Sequence, residues 1–119
     1  MTDPRENGLV LDPKFDANRL LTAVVVDAAD GAVLMVGHMS QEALQVTQET
    51  GKVTFFSRSR QRLWTKGESS GPFLHLIELR IDCDQDALLV IAQPDGPTCH
   101  TGERSCFYRR VTPKGLERL

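Results

Sequence analysis

The chain has little aromatic or sulfur chemistry: one Trp, one Tyr, five Phe and three Cys among 119 residues. An odd cysteine count does not suit the disulfide framework of a small secreted domain, which uses pairs. No two cysteines are separated by two residues, the short spacing common in closed structural zinc sites. No stretch approaches the roughly 20 apolar residues that a membrane-spanning helix needs. The segment from Met1 to Gly8 is polar, carries Asp3 and Glu6, and does not read as a secretory signal. A cytoplasmic protein without membrane contact is expected. There is no internal repeat, no low-complexity tract and no excess of one charge. The formal net charge of −2 argues against a general nucleic-acid binder.

What is present is unevenly distributed. Lys52, Arg58, Arg60, Arg62 and Lys66 follow one another with no acidic residue between them, whereas Glu78, Asp82, Asp84 and Asp86 cluster further on. A basic and an acidic segment in one small domain suit an anionic ligand and a metal cation respectively.

The length fits a single domain over residues 1–119. Residues 1–19 are expected to form an irregular lead-in. Leu20 to Asp27 reads as a buried strand, Asp30-Gly31 as a hairpin turn, and Ala32 to Gly37 as the returning strand. Ser40 is a helix N-cap, Gly51 a left-handed C-terminal cap, and the one main helix runs between them. Its inward candidates include Ala43, Leu44 and Val46. Lys52 to Ser57 reads as a strand, and residues 58–71 as a long functional loop. Strands are expected at Phe73 to Ile81, Ala87 to Ala92 and Cys106 to Val111, with a fraying tail at residues 113–119. The fold class is α+β, mostly antiparallel sheet.

Three segments carry chemistry. In Asp82-Cys83-Asp84-Gln85-Asp86, three carboxylates at alternate positions share one face if the chain is extended. Their mutual repulsion calls for a cation, and oxygen ligands suit magnesium. A calcium loop of the EF-hand type would need Gly and Glu where Ala87 and Gln93 stand, so that reading fails. A solvated acidic turn is the plain alternative.

Cys83, Cys99 and Cys106 match the three protein ligands of a catalytic zinc, which keeps a fourth position for water. Three ordinary buried thiols would be the bland reading, but Cys83 lies among carboxylates. In Gly96-Pro97-Thr98-Cys99-His100-Thr101-Gly102, His100 is a candidate general acid/base. His38 and His75 are read as structural first.

From Ser57 to Gly71, Arg58, Arg60, Arg62 and Lys66 offer donors to phosphate. Trp64 is placed to pack against a base or against the core. A pocket for a phosphorylated small molecule, a nucleic-acid surface and a solvated loop all fit this composition.

Taken in order, these segments resemble the phosphoribosyl-AMP cyclohydrolase family. The resemblance rests on Ser57-Arg58-Ser59-Arg60, Leu63-Trp64-Thr65-Lys66-Gly67-Glu68, Asp82 to Leu89, Gly96 to Gly102, and Ser105-Cys106-Phe107. It implies hydrolysis of the bond between ring nitrogen 1 and carbon 6 of the purine, in histidine biosynthesis. It further implies magnesium on Asp82, Asp84 and Asp86, and zinc on Cys83, Cys99 and Cys106. It implies a homodimer whose zinc site takes cysteines from both chains, which lets Cys83 serve while pointing away from its own carboxylates. Ribosylation at nitrogen 1 makes the ring an electron-poor cation, so a zinc-activated water has an electrophilic carbon 6 to attack. Zinc deaminases of nucleobases share that target carbon, but their His-x-Glu and Pro-Cys-x-x-Cys signature is missing. Two departures from the family wording stand out. Pro72 replaces a frequent asparagine, and Gly37-His38-Met39-Ser40 replaces a motif with tyrosine. The competing expectation is a zinc-stabilised module that binds nucleic acid or protein through the basic loop.

Overall fold

The computed structural model describes residues 3–119. Ten elements follow in order: α1 (Pro4–Asn7), β1 (Leu21–Asp27), β2 (Val33–Met39), α2 (Gln41–Thr50), β3 (Thr54–Ser57), β4 (Arg62–Thr65), β5 (Leu74–Ile81), β6 (Ala87–Pro94), β7 (Arg109–Thr112) and β8 (Gly115–Arg118). The fold is α+β, as expected. No helix among the described residues is long and apolar enough to cross a membrane.

The main sheet has the order β2-β1-β6-β5. Its outer pairs, β1–β2 and β5–β6, are antiparallel, and the central β1–β6 pair is parallel. On β1, every second residue from Leu21 is buried, so Leu21, Ala23 and Val25 line one face while Thr22, Val24 and Val26 are less covered. On β6, Leu88, Val90 and Ala92 continue that face. Alternation rather than uniform burial is what a sheet covered on one side requires.

The helix that covers it begins and ends as the sequence indicates. The Ser40 hydroxyl accepts from the Ala43 amide at 3.1 Å, and Gly51 caps the C-terminus with φ 74°. Ala43 and Leu44 face the core, but the third buried residue is Thr47 rather than Val46, which is half-buried. A polar residue can occupy that place because its hydroxyl accepts from the Thr54 amide at 2.9 Å and donates to the Thr54 carbonyl at 3.2 Å. This double bond ties α2 to the start of β3. Gly37 is equally specific in its role. A Cβ there would lie 2.5 Å from the Phe55 ring, so only glycine lets β2 pass under that buried side chain.

Four expectations are corrected. The lead-in contains one helical turn, α1, capped by the Asp3 side chain accepting from the Arg5 amide. Residues 58–71 are not one long loop. Leu63 and Trp64 lie opposite Phe56 and Phe55 in a hairpin between β3 and β4, and polar flanking residues hide that alternation in the sequence. The strand expected from Cys106 begins at Arg109, and it is not the last. The tail does not fray: β8 pairs with β7, and Arg118 makes an ion pair with Glu103.

Candidate active site

The tight β5–β6 turn brings the three carboxylates together by folding back, not by extension. The Asp82 side chain accepts from the amides of Asp86 and Ala87 at 2.9 and 3.1 Å. The Gln85 amide bonds the Asp82 carbonyl at 3.0 Å, and Gln85 takes a left-handed backbone with φ 59°. One donor oxygen from each of Asp82, Asp84 and Asp86 then lies within 4.8 Å of the others. Their closeness is visible in their ionisation. Hydrogen bonds to the carboxylates of Asp82 and Asp84 push Asp86 up to about 6, with desolvation and then the negative charge of those neighbours adding to the rise. Burial raises Asp82, but the Ala87 amide and the Asp86 carboxyl outweigh that and hold it below its ordinary value. Three oxygen donors at this spacing fit a hard divalent cation.

The thiols are arranged differently. Cys99 is buried, and Cys106 lies near enough for each thiol to influence the ionisation of the other. The Thr101 hydroxyl donates to Cys99 Sγ at 3.0 Å and holds that thiol below its ordinary value. Cys106 is exposed as a residue, yet the protein around its sulfur pushes the thiol up, and neighbouring Cys99 adds to the rise. The positive charge of Lys66 lowers both. Cys83 stands apart, exposed on the acidic turn, and the three cysteines form no common cluster among the described residues. Two thiols, one favouring thiolate, fit part of a zinc site.

The loop that carries these thiols is braced from outside. The Arg104 guanidinium binds Asp27 at 3.0 Å and Asp30 at 2.8 Å. The Ser105 hydroxyl donates to the Val33 carbonyl at 2.7 Å, and the Cys106 amide to the Leu34 carbonyl at 2.8 Å.

Beside the thiols, Arg60, Trp64, Lys66 and His100 line one cleft of about 500 Å³, together with Ser57, Ser59, Thr65, Glu68, Ser69 and Ser70. Trp64 packs on Phe55 with ring centroids 5.2 Å apart, and Lys66 Nζ stands 5.8 Å from the Trp64 ring centre. The cleft rim depends on Gly67. Its φ is 95°, and a Cβ there would lie 2.2 Å from the Pro72 carbonyl oxygen. A second cleft of about 530 Å³ shares Ser59 and Trp64 and adds His38, Arg58 and Phe56.

The sequence model of the phosphoribosyl-AMP cyclohydrolase family matches residues 35–108. The chain belongs to that family. It is 59% identical to a phosphoribosyl-AMP cyclohydrolase of Rhizorhabdus wittichii, over 97% of this chain and 93% of the relative. It is 59% identical to one of Sphingopyxis alaskensis, over 87% and 82% of the two chains. A phosphoribosyl-AMP cyclohydrolase of Brucella suis is 57% identical over 92% and 81%.

In this cyclohydrolase-family chain, the residues singled out from sequence separate into groups. Arg60, Trp64, Lys66 and His100 share the first cleft, while Arg58 turns to the second. Arg62 is exposed on β4 and lines neither. His75 keeps its structural reading, binding the Asp95 carboxylate at 2.9 Å. His38 does not. Burial, followed by the nearby Arg58, lowers it, and it lines the second cleft. Sequence reading missed Thr101, Arg104 and Gln85. The Cys-x-Thr spacing was a usable signal for the first, but nothing local identifies the partners of the other two.

Proposed function

We propose that the chain is a cytoplasmic hydrolase of histidine biosynthesis that opens the purine of phosphoribosyl-AMP between nitrogen 1 and carbon 6. Membership of the family supports the reaction. The observation that carries the site is the cleft where Arg60, Lys66, Trp64 and His100 converge beside Cys99 and Cys106.

The substrate has two phosphates and a cationic purine. Arg60 and Lys66 hold a phosphate by charge-assisted hydrogen bonds, and the serine and threonine hydroxyls add neutral donors. Arg58 in the adjoining cleft takes the second phosphate. Trp64, backed by Phe55, gives the base a flat wall. His100 moves the proton between the attacking water and the departing ring nitrogen.

Asp82, Asp84 and Asp86 would hold magnesium, and Cys99 with Cys106 would hold zinc. Cys83 of a second copy completes the zinc set in a homodimer, since Cys83 of the same chain lies on a separate turn. When bound, zinc supplies Lewis-acid activation of water and magnesium supplies positive charge for phosphate oxygens. The Thr101 hydroxyl eases loss of the Cys99 proton, which a zinc ligand must give up, and Lys66 would screen the charge of two thiolates.

Ultraviolet spectroscopy of the purified protein with phosphoribosyl-AMP tests the reading. A spectral change from purine opening that a zinc chelator abolishes is expected. No change with zinc and magnesium both supplied would overturn it and turn attention to RNA binding.

A further inference from the structure

Gln85 is the one buried residue of the Asp82–Asp86 turn, with 4% of its surface exposed. The hydrogen bonds of its side chain go elsewhere than to the carboxylates. It reaches into the lead-in, where Oε1 accepts from the Asp12 amide at 2.8 Å. Nε2 donates to the Arg5 carbonyl at 2.8 Å and to the Val10 carbonyl at 3.3 Å. Its own carbonyl accepts from the Lys14 amide at 2.7 Å. The lead-in is itself closed on this point, because Arg5 binds the Asp12 carboxylate at 3.0 Å and its carbonyl at 2.9 Å.

This arrangement has a physical cost and a matching function. A left-handed backbone is disfavoured for any residue with a Cβ, and three clustered carboxylates push a turn open. Something must hold the chain where Gln85 reverses it between Asp84 and Asp86. A primary amide is suited to that task, since it offers an acceptor to one lead-in group and donors to two others. Glutamate would lose both donors.

We propose that Gln85 is a positioning residue that clamps the lead-in onto the acidic turn, so that residues 5–14 set the affinity of Asp82, Asp84 and Asp86 for a divalent cation. The inference rests on the reading of those carboxylates as cation ligands. Because coupling between sites is reciprocal, cation binding must also tighten the lead-in.

Manganese is the probe, since it takes the same oxygen ligands as magnesium. Its binding to the full-length protein is followed by electron paramagnetic resonance, and lead-in amides by hydrogen exchange. Gln85→Gly removes the clamp while easing the left-handed backbone. Manganese affinity is expected to fall about tenfold in this variant, and in the wild type manganese should slow exchange at the Asp12 and Lys14 amides. A clamp with only a stabilising role would lower the melting temperature and leave both readings unmoved, which overturns the inference. If the wild type binds no manganese, the cation reading fails and the inference falls with it. If Gln85→Gly does not fold, exchange in the wild type decides alone.

Discussion

In the acidic turn, five consecutive residues bring three carboxylates within 4.8 Å of one another. Between Cys99 and Cys106, a loop braced by Arg104 and Ser105 brings two thiols together, while the third cysteine stays on the acidic turn. The carboxylate set closes within one chain, and the thiol set does not. The contrast teaches that sequence proximity and shared chemistry are separate matters. Cys83 is a covalent neighbour of Asp82 and Asp84, yet its proposed use lies with another loop in another copy.

The sharpest way to break this comparison is at the thiols. Cys99→Ser is expected to lower turnover more than about 100-fold and to abolish zinc content, measured by assay and metal analysis. Mixing that variant with Cys83→Ser, after subunit exchange, should restore about a quarter of wild-type activity, because half the dimers regain one of two sites. No recovery would mean that each chain uses its own Cys83. Asp84→Asn addresses the other set: roughly 30-fold weaker manganese binding with zinc content unchanged. Loss of zinc as well would show that the two loops form one unit. Arg104→Ala removes the outside brace, and zinc retention against a chelator should weaken about tenfold while manganese binding holds.

The smallest effect concerns pH. The Arg104 guanidinium, then the Ala32 amide, hold Asp30 below its ordinary value of 3.8. The unfolded chain therefore binds more protons near that pH. The stability from Asp30 is present above 3.8 and is lost as pH falls through the lower folded value. In denaturant titrations, the gap between wild type and Asp30→Asn should narrow as pH drops from about 5 to about 3. A constant gap would mean that the Arg104 contact does not depend on that carboxylate's charge.

Features that the chain settles locally were legible in it. Ser40 and Gly51 delimit α2 because a hydroxyl and a left-handed glycine act on adjacent amides and carbonyls. Asp30-Gly31 marked the β1–β2 hairpin for the same reason. The basic residues, Trp64 and His100 were found by type, and of Arg58, Arg60, Arg62, Trp64, Lys66 and His100, four share a cleft. Arg62 was indistinguishable from Arg60 because Arg60 lies in the β3–β4 turn and Arg62 opens β4, a division that depended on an unrecognised hairpin. The sequence leaves the acidic turn between an extended face and a solvated turn because alternating carboxylates suit a strand as well as a reversal. Gln85 was invisible as a clamp since its partners lie more than seventy positions earlier in the chain.

The parallel pairing of β1 with β6, Thr22 beside Ala87, has a consequence for the order of assembly. The two strands at the centre of the sheet are far apart in the chain, and everything between them must emerge before they can meet. Closing so long a loop costs entropy before any contact repays it, which slows folding relative to helical domains of this size. During synthesis β1 and β2 are released early as a hairpin with one uncovered apolar face. Until β6 emerges, that hairpin also keeps an unpaired strand edge, the kind of surface that makes partly folded chains prone to aggregate.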